Sequence, residues 1–253
     1  MTLPLPWQTV WITGASSGIG REIALQLADR GVTVAASARS AEKLASLGPR
    51  IHPYPLDVTD AEATQRVAAR IEHELGPIDL AVLGAGTYRP VAVDNFDIRL
   101  FDQAMRTNYL GVVHGLAALV PAMLVRGQGH VSWIASVAGY RGLPMAAAYG
   151  PTKSALINLA ESLKPELELR GLTVSVINPG FVATPLTEQN DFPMPFLMQP
   201  SEAARRTLNG LARRRFEISY PLPLVLMLKL ARLMPSGLYF RLVRHFILKE
   251  KKP

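Results

Sequence analysis

The stretch that decides the fold is Thr13-Gly14-Ala15-Ser16-Ser17-Gly18-Ile19-Gly20, near the start of a chain of 253 residues. It follows a short apolar run at residues 9–12 and opens a helical pattern over residues 19–30. Glycine lets the backbone turn tightly and approach a pyrophosphate closely, and the N-terminus of the next helix presents N–H groups to it. Three glycines alone are weak evidence, but their place between a strand and a helix predicts a phosphate-binding loop.

Up to about residue 220 the chain alternates short apolar runs with helical patterns. Further strands are predicted at residues 32–36, 80–83, 131–134 and 173–177, and helices at residues 67–75, 101–124 and 149–170. Strands that are apolar on both faces, with helices between them, are typical of a parallel sheet covered on both sides. We therefore predict an α/β fold with a doubly wound parallel sheet.

The composition narrows the class of protein. Hydrophobic residues make up 49% and charged residues 19% of the chain, which excludes a disordered protein. The absence of cysteine excludes disulfides, thiolate metal sites and thiol catalysis. The histidines show no metal-ligand spacing, so we predict no metal site and interpret His114 and His130 as structural or solvent-facing. We find neither a signal-like N-terminus nor a run of about 18 uncharged apolar residues, so we expect a cytoplasmic protein without an ordinary spanning helix.

The formal net charge of +7 is unevenly distributed. Residues 201–253 contain 12 Lys or Arg and 3 Asp or Glu, whereas residues 1–200 contain 15 and 17. Two apolar segments in the basic part, at residues 224–234 and 238–248, are each predicted as an amphipathic helix. Their basic residues, and those that follow them, are Lys229, Arg232, Arg241, Arg244, His245, Lys249, Lys251 and Lys252.

Two explanations of this basic tail stay open. In the first, its apolar faces pack on the body of the protein or across a subunit interface. In the second, residues 221–253 bind an anionic membrane surface, which would make the protein peripheral at the inner face of a membrane. Nucleic acid is disfavoured as a partner, because the sequence contains no recognised binding module and little aromatic interleaving.

Arg39 follows the second predicted strand, at a point where a site that prefers NAD usually carries Asp or Glu for the ribose hydroxyls. A guanidinium suits a 2′-phosphate, so NADP(H) is favoured over NAD(H). The alternative interpretation is a solvated surface arginine, which is a common feature of proteins.

Tyr149 and Lys153 are four residues apart on a predicted helix, which places them on one face. A nearby ammonium favours the phenolate and lowers the pKa of a tyrosine, and a tyrosine so tuned can exchange a proton with a carbonyl or alcohol oxygen. Ser136 follows the strand at residues 131–134, and its hydroxyl could hold the same oxygen. By itself, such a tyrosine and lysine pair is more often a surface pair.

Over about residues 8–220 the chain resembles the short-chain dehydrogenase/reductase family. The glycine loop, the Ser136, Tyr149 and Lys153 set at the family's spacing, and Asn108 in Thr107-Asn108-Tyr109-Leu110-Gly111 carry the resemblance. Leu56-Asp57-Val58 and Asn178-Pro179-Gly180-Phe181-Val182-Ala183-Thr184 add to it. The chain departs from the family at Leu83-Gly84-Ala85-Gly86, where Asn-Asn-Ala-Gly is frequent, and at Trp133, which we interpret as core packing.

The resemblance implies a single-domain Rossmann fold. Residues 1–220 would form the dinucleotide-binding and catalytic domain, and residues 221–253 an apolar, basic helical extension of that domain. The implied activity is an NADP(H)-dependent transfer of hydride between nicotinamide and a carbonyl or alcohol substrate. The residues implied to bind the cofactor are Gly14, Ser16, Ser17, Gly18, Ile19, Gly20, Arg39, Asp57, Val58, Ala85, Gly86, Tyr149, Lys153, Pro179, Gly180, Val182 and Thr184.

The resemblance also implies roles for four catalytic residues. Ser136 orients the substrate oxygen and Tyr149 transfers the proton. Lys153 holds the ribose and lowers the pKa of the tyrosine, and Asn108 supports a water-linked proton relay through the lysine. The alternative from another class is a non-catalytic NADP-binding protein that docks on a membrane or a partner through its tail. The complete set of four residues argues against it.

The remaining implications concern substrate and assembly. Residues 185–200 correspond to the family's substrate lid, and their apolar side chains favour a lipophilic substrate, although packing on the body explains them equally well. These side chains are Phe192, Met194, Phe196, Leu197 and Met198. A homodimer or homotetramer built on the helices at 101–124 and 149–170 is expected from many relatives.

Overall fold

A parallel sheet of seven strands forms the centre of the computed structural model, which describes residues 5–94 and 96–248. The strands are β1 (Thr9–Thr13), β2 (Thr33–Ser37), β3 (Ile51–Pro53), β4 (Leu80–Leu83), β5 (Gly129–Ile134), β6 (Leu172–Pro179) and β7 (Glu217–Tyr220). Their order is β3-β2-β1-β4-β5-β6-β7, and every neighbouring pair is parallel. The predicted α/β, parallel architecture is confirmed.

Helices cover both faces of this sheet. They are α1 (Gly18–Ala28), α2 (Ala41–Ala45), α3 (Ala61–Leu75), α4 (Ile98–Ala104), α5 (Gly111–Arg126), α6 (Gly150–Glu168), α7 (Pro200–Ala212), α8 (Leu222–Leu233) and α9 (Ser236–Val243). One hydrophobic cluster joins the sheet to α3, α5, α6 and α8, and a second joins it to α1 and α7. Two separate cores on one sheet make the fold doubly wound, as a Rossmann fold requires.

The sequence patterns missed some elements for physical reasons. β3 has only three residues, and two of them are exposed, so it shows no apolar run. α3 begins at Ala61 rather than at residue 67, because Asp60 caps it and accepts a hydrogen bond from the Ala63 amide at 2.8 Å. α7 was also not predicted, although its apolar residues recur at helical spacing.

One helix in the described part of the chain, Ile98–Arg126, is long and apolar enough to cross a membrane by length and composition. A helix in a protein core passes the same test, so the expectation of no ordinary spanning helix stays a prediction. Val112, Leu116, Leu119 and Met123 of this helix are buried in the core beside the sheet. Its apolar composition is explained by its place as a core helix between sheet and α3.

The carboxyl ends of β1 and β4 lie side by side at the centre of the sheet. From β1 the chain winds outward to β2 and β3 on one side, and from β4 to β5, β6 and β7 on the other. Such a reversal of strand order opens a crevice outside the carboxyl ends of the strands, and ligands bind there in open α/β sheets. The glycine loop follows β1 directly, so the topology places it at this crevice.

The tail forms two helices, α8 and α9, followed by a π-helical turn at Arg244–Leu248. α8 begins two residues earlier than predicted and buries Leu224, Val225 and Leu228 in the main core. The predicted domain boundary at residue 220 stays a prediction, and Lys249, Lys251 and Lys252 lie outside the described residues. One face of α8 therefore packs on the body of the protein, which is the first of the two explanations of the tail.

Candidate active site

The glycine loop has a backbone that only glycine allows. Gly14 and Gly18 have φ of +74° and +55°, a region that L side chains rarely adopt. A Cβ on Gly14 would lie 2.7 Å from the Gly84 carbonyl carbon, and one on Gly20 would lie 2.6 Å from the Gly14 oxygen. The loop is therefore packed backbone to backbone against the end of β4 and the start of α1.

Thr13 braces this contact between the two halves of the sheet. Its hydroxyl accepts hydrogen bonds from the amides of Gly84 and Ala85, at 3.0 and 3.3 Å. This segment is where the family frequently carries two asparagines and this chain carries Leu83-Gly84. Thr13 is thus a supporting residue that the list of site residues did not include, although it is the first residue of the quoted loop.

The loop after β6 approaches the glycine loop from the other side of the crevice. A Cβ on Gly18 would lie 2.8 Å from Cγ2 of Thr184, so these two residues face each other. The loop is held by Thr187, whose hydroxyl donates to the Val182 carbonyl oxygen and accepts from the Thr184 amide, at 2.6 and 3.1 Å. Sequence reasoning missed Thr187, since nothing marks it apart from its position three residues after Thr184.

The exposed side chains of Arg39 and Asp57 lie at the ends of β2 and β3, on one flank of the crevice. The backbone amide and the hydroxyl of Thr59 both donate hydrogen bonds to Asp57. The hydrogen bond from the amide is the largest cause that lowers the pKa of the Asp57 carboxyl, and the charge of Arg39 lowers it further. Val58 is buried, and a Cβ on Gly111 would lie 2.7 Å from its Cγ2. The structure thus brings Arg39 and Asp57 to the same flank of the crevice, where the guanidinium of Arg39 is exposed.

Tyr149 and Lys153 share one face at the start of α6, as their spacing predicts. Tyr149 caps α6 rather than lying in it, but its φ and ψ are helical, and its carbonyl accepts the Lys153 amide at 3.2 Å. The Lys153 ammonium lies 5.4 Å from the centre of the Tyr149 ring and donates to the Ile134 carbonyl at 2.8 Å. Lys153 is only 4% exposed, which argues against a solvated surface pair.

The expectation that Lys153 lowers the pKa of Tyr149 is wrong for the protein chain alone. Burial raises the pKa of Tyr149 to about 12, and the hydrogen bond with Ser136 opposes this rise. Burial also lowers the pKa of Lys153 to about 7. The physical reason is common to both residues, because removal from water penalises the phenolate and the ammonium alike.

Ser136 lies directly after β5 and is buried. Its hydroxyl accepts the Ala138 amide at 3.1 Å, where it caps the 3-10 turn Val137–Gly139, and it donates to the Pro179 carbonyl at 3.4 Å. Its hydroxyl also lowers the pKa of Tyr149, against the larger effect of burial. Ser136 therefore sits between the tyrosine and the loop after β6, and the weak bond to Pro179 leaves its hydroxyl able to turn to a ligand.

Asn108 is fully buried within a π-helical turn, Met105–Leu110, that joins α4 to α5. Its Oδ1 accepts the Thr87 amide at 2.7 Å, and its Nδ2 donates to the Thr87 carbonyl and to Thr152 Oγ1 at 3.0 and 3.1 Å. Turns of this kind inside α-helices frequently mark functional sites. A Cβ on Gly86 would lie 3.4 Å from Asn108 Oδ1 and 3.9 Å from Lys153 Nζ, so both side chains lie close to Gly86.

These residues fit a nicotinamide dinucleotide. The glycine loop leaves a cradle that side chains would fill, and Ser17 begins α1 without a side-chain bond that caps its first turn. An anion is favoured at such a helix end. Ser16, Ser17 and Ile19 lie in this cradle, and Ala85, Gly86, Pro179 and Gly180 lie along the carboxyl edge of the strands.

The lid residues divide into two groups. Met198 is buried and pairs with Val182, and Phe192 packs edge-on against Phe181 with ring centres 6.0 Å apart. Phe196 and Leu197 are about half exposed. Part of the lid therefore packs on the body, and part presents apolar surface.

Two further residues behave as the sequence suggested. Trp133 is fully buried and donates to the Leu156 carbonyl at 2.9 Å, as expected of core packing. His130 is structural, since it is buried and bonded to Ser175, and burial lowers its pKa to about 3. Within residues 5–94 and 96–248 no group of three or more metal-ligating side chains is found.

Comparisons with known proteins agree with this geometry. The model of the short chain dehydrogenase family matches residues 8–193. The chain belongs to the short-chain dehydrogenase/reductase family. An uncharacterised oxidoreductase of Myxococcus xanthus is 37% identical over 242 residues, which cover 93% of this chain and 96% of the relative. A 3-oxoacyl-(acyl-carrier-protein) reductase of Haemophilus influenzae is 35% identical over 70% of this chain and 75% of its own.

A solved family structure shows the same architecture. The short-chain dehydrogenase of Burkholderia cenocepacia, solved in complex with NADP, has a TM-score of 0.83 and is 25% identical; the match covers 95% of this chain and 99% of the other. The chain is accordingly an oxidoreductase of a family that binds a nicotinamide cofactor and acts on a small-molecule substrate.

Proposed function

We propose that this family member is an NADP(H)-dependent oxidoreductase that interconverts a carbonyl and an alcohol, with Ser136, Tyr149, Lys153 and Asn108 as its proton-transfer site. The observation that carries the proposal is the buried Lys153, whose ammonium lies 5.4 Å from the centre of the Tyr149 ring. A buried charged group is costly unless it is paired and hydrogen-bonded. Lys153 has a hydrogen bond to the Ile134 carbonyl, which holds its ammonium beside the phenol.

The cofactor would be held by the glycine loop, by Asp57 and Arg39 on the adenosine side and by Val182 and Thr184 on the nicotinamide side, and it supplies the hydride. The protein supplies the proton. With a pKa of about 12 the phenol of Tyr149 stays protonated at neutral pH, so it can donate to a carbonyl oxygen that is gaining charge.

Ser136 and Lys153 support this transfer. Ser136 can hold the substrate oxygen, because its bond to Pro179 is long and readily exchanged. Burial lowers the pKa of Lys153 to about 7, so at neutral pH it can pass a proton toward Tyr149 after turnover. Asn108 is a positioning residue, since its amide fixes Thr87 and Thr152 around the lysine rather than reaching the tyrosine.

The preference for NADP(H) over NAD(H) rests on Arg39. Its exposed guanidinium lies beside Asp57 where β2 ends, and a guanidinium binds a 2′-phosphate well. The Burkholderia relative, solved with NADP, supports the same choice of cofactor. Carbonyl reduction is the proposed direction, and the name of the Haemophilus relative, a 3-oxoacyl reductase, is in keeping with it.

A lipophilic substrate is proposed from the lid. Phe181 and Phe192 form an aromatic pair after β6, and the half-exposed Leu197 lies on the same segment. Apolar walls with a few polar groups are typical of small-molecule sites. We further propose a cytoplasmic homodimer or homotetramer, which the family resemblance implies.

A panel of carbonyl compounds with NADPH tests the proposal. We expect turnover with apolar ketones or aldehydes, a loss of at least about 1,000-fold in Tyr149→Phe, and unchanged NADPH binding by fluorescence. Tyr54→Phe is the matched control, because Tyr54 bonds to Glu74 away from the crevice. Cofactor binding without turnover across the panel would favour a non-catalytic NADP-binding protein.

A further inference from the structure

The outer side of α8 exposes a continuous stripe of leucines. Its members are 59% to 81% exposed, and they follow one another at intervals of four, four and three residues: Leu222, Leu226, Leu230 and Leu233. That spacing puts them on one side of a helix. The other side carries Leu224, Val225 and Leu228, which are buried in the core. α8 is therefore apolar on both sides, and the core explains only one of them.

Exposed apolar side chains also follow α8 along the chain. In α9 and the π-helical turn after it, Leu238, Phe240 and Phe246 are 47%, 56% and 66% exposed. We call residues 222–248 with these exposed side chains the outer face. Contiguous exposed apolar patches are uncommon on monomeric proteins and usually mark an interaction site.

The outer face is also basic. Residues 218–248 contain Lys229, Arg232, Arg241 and Arg244 and not a single Asp or Glu. At 3.6 residues per turn, Lys229 and Arg232 project along one margin of the leucine stripe, and both are exposed. Lys229 pairs with Glu217 at the base of α8, whereas Arg232, Arg241 and Arg244 extend the positive surface.

We propose that the outer face docks on an anionic lipid membrane. Apolar side chains bordered by Lys and Arg, without acidic residues, suit the boundary between negatively charged headgroups and acyl chains. A second copy of the same face is the weaker occupant, because a symmetric contact would bring two positive surfaces together. Charge complementarity thus selects the lipid.

Contacts on the inner side hold the outer face in place. Arg141 donates to the carbonyls of Ala231, Arg232 and Met234, at 2.9, 2.8 and 3.1 Å, where α8 ends. Its guanidinium also lies 4.2 Å from the centre of the Tyr239 ring. The face is therefore formed in the protein itself and needs little further ordering to bind.

The outer face lies close to the crevice, and what this implies for the substrate rests on the proposed function. The docking itself does not rest on it. A Cβ on Gly180 would lie 2.7 Å from Leu224, and Tyr239 donates to the Gly142 carbonyl in the loop that precedes Tyr149. The helices thus border the substrate side of the crevice. A docked enzyme would receive a lipophilic substrate from the membrane.

Flotation of the full chain with phosphatidylcholine vesicles, with and without phosphatidylglycerol, tests the proposal. We expect flotation with the anionic vesicles alone, weakened by salt. Leu226→Glu with Leu230→Glu is expected to reduce partitioning by at least about 30-fold, because two leucines that the membrane would bury are lost. Arg241→Gln with Arg244→Gln is expected to reduce it about 20-fold, near fivefold for each charge.

Leu169→Glu is the matched control, since Leu169 is 87% exposed and lies just before β6, at the amino ends of the strands, whereas α8 follows the carboxyl end of β7. Thermal unfolding and NADPH binding check that each variant is folded. Absence of flotation by the natural chain, or equal flotation of the leucine variant, would overturn the proposal. So would a dimer, seen without lipid, that the leucine variant converts to monomer. Flotation without turnover would count against the proposed function alone.

Discussion

The proposed proton-transfer site, which we call the catalytic edge, and the outer face of the tail place side chains in opposite environments. At the catalytic edge polar groups are buried: Asn108, Ser136 and Lys153 have lost their water and hydrogen-bond with neighbouring protein groups. On the outer face apolar groups are exposed, and Leu226 and Leu230 keep their water. Exposed apolar groups cost free energy in the isolated chain, whereas buried polar groups do so only where they lack hydrogen bonds. The catalytic edge is therefore a polar site held ready by the protein, and the outer face is an apolar surface that a partner can cover.

The largest expected effect concerns pH at the catalytic edge. If burial controls Tyr149, alcohol oxidation, which needs the phenolate, should rise about tenfold per pH unit toward a pKa of about 12. Carbonyl reduction, which needs the phenol, should show no loss from titration of Tyr149 between about pH 6 and pH 9. Initial rates in both directions check this. A plateau of oxidation near neutral pH would show that bound cofactor and Lys153 overcome the burial.

The second prediction tests how tightly the catalytic edge is packed. Gly14→Ala should destabilise the fold by about 4 kcal/mol and abolish cofactor binding, because a Cβ there meets the backbone of Gly84. Gly31→Ala is the control with the same kind of φ, +80°, but with nothing within 4 Å of the new Cβ. It should cost only about 1 kcal/mol. Urea unfolding measures both, and equal losses would rule out the close approach.

The third prediction compares the two sides of α8. Leu228→Ala should lower the free energy of unfolding by about 2 to 3 kcal/mol, since Leu228 is buried in the core. Leu226→Ala should change it by less than about 0.5 kcal/mol. Denaturant titration of both variants without lipid supplies the measurement. A large loss in Leu226→Ala would mean that the outer face is covered in the free protein.

The smallest expected effect is at the flank of the crevice. Arg39→Ala should weaken NADPH binding about 10- to 30-fold and leave NADH binding nearly unchanged, because only NADPH has a 2′-phosphate. Titration of both cofactors measures the ratio. Arg50→Ala is a suitable control, since Arg50 is an exposed arginine just before β3, at the amino ends of the strands, whereas Arg39 follows the carboxyl end of β2. Equal losses for both cofactors would reject Arg39 as the selective residue.

Local sequence signals explain much of the agreement between prediction and structure. The glycine loop, the strand cores and the spacing of Tyr149 and Lys153 depend on neighbours within a few residues, so short-range patterns predicted them. The supporting residues Thr87, Thr152 and Thr187 were missed, because threonine carries no distinctive signal and Asn108, which contacts Thr87 and Thr152, lies 21 and 44 positions from them. The catalytic assignments themselves stay predictions.

The sequence alone determined the fold class and the basic, apolar character of the tail, because periodicity and composition are properties of the chain, and its motifs carried the resemblance to the family. Only the tertiary structure decided two other matters. It showed that burial moves the pKa of Tyr149 up and that of Lys153 down, and it separated the buried leucines of α8 from the exposed ones. Both depend on how much water the fold removes from each side chain, which no local pattern records.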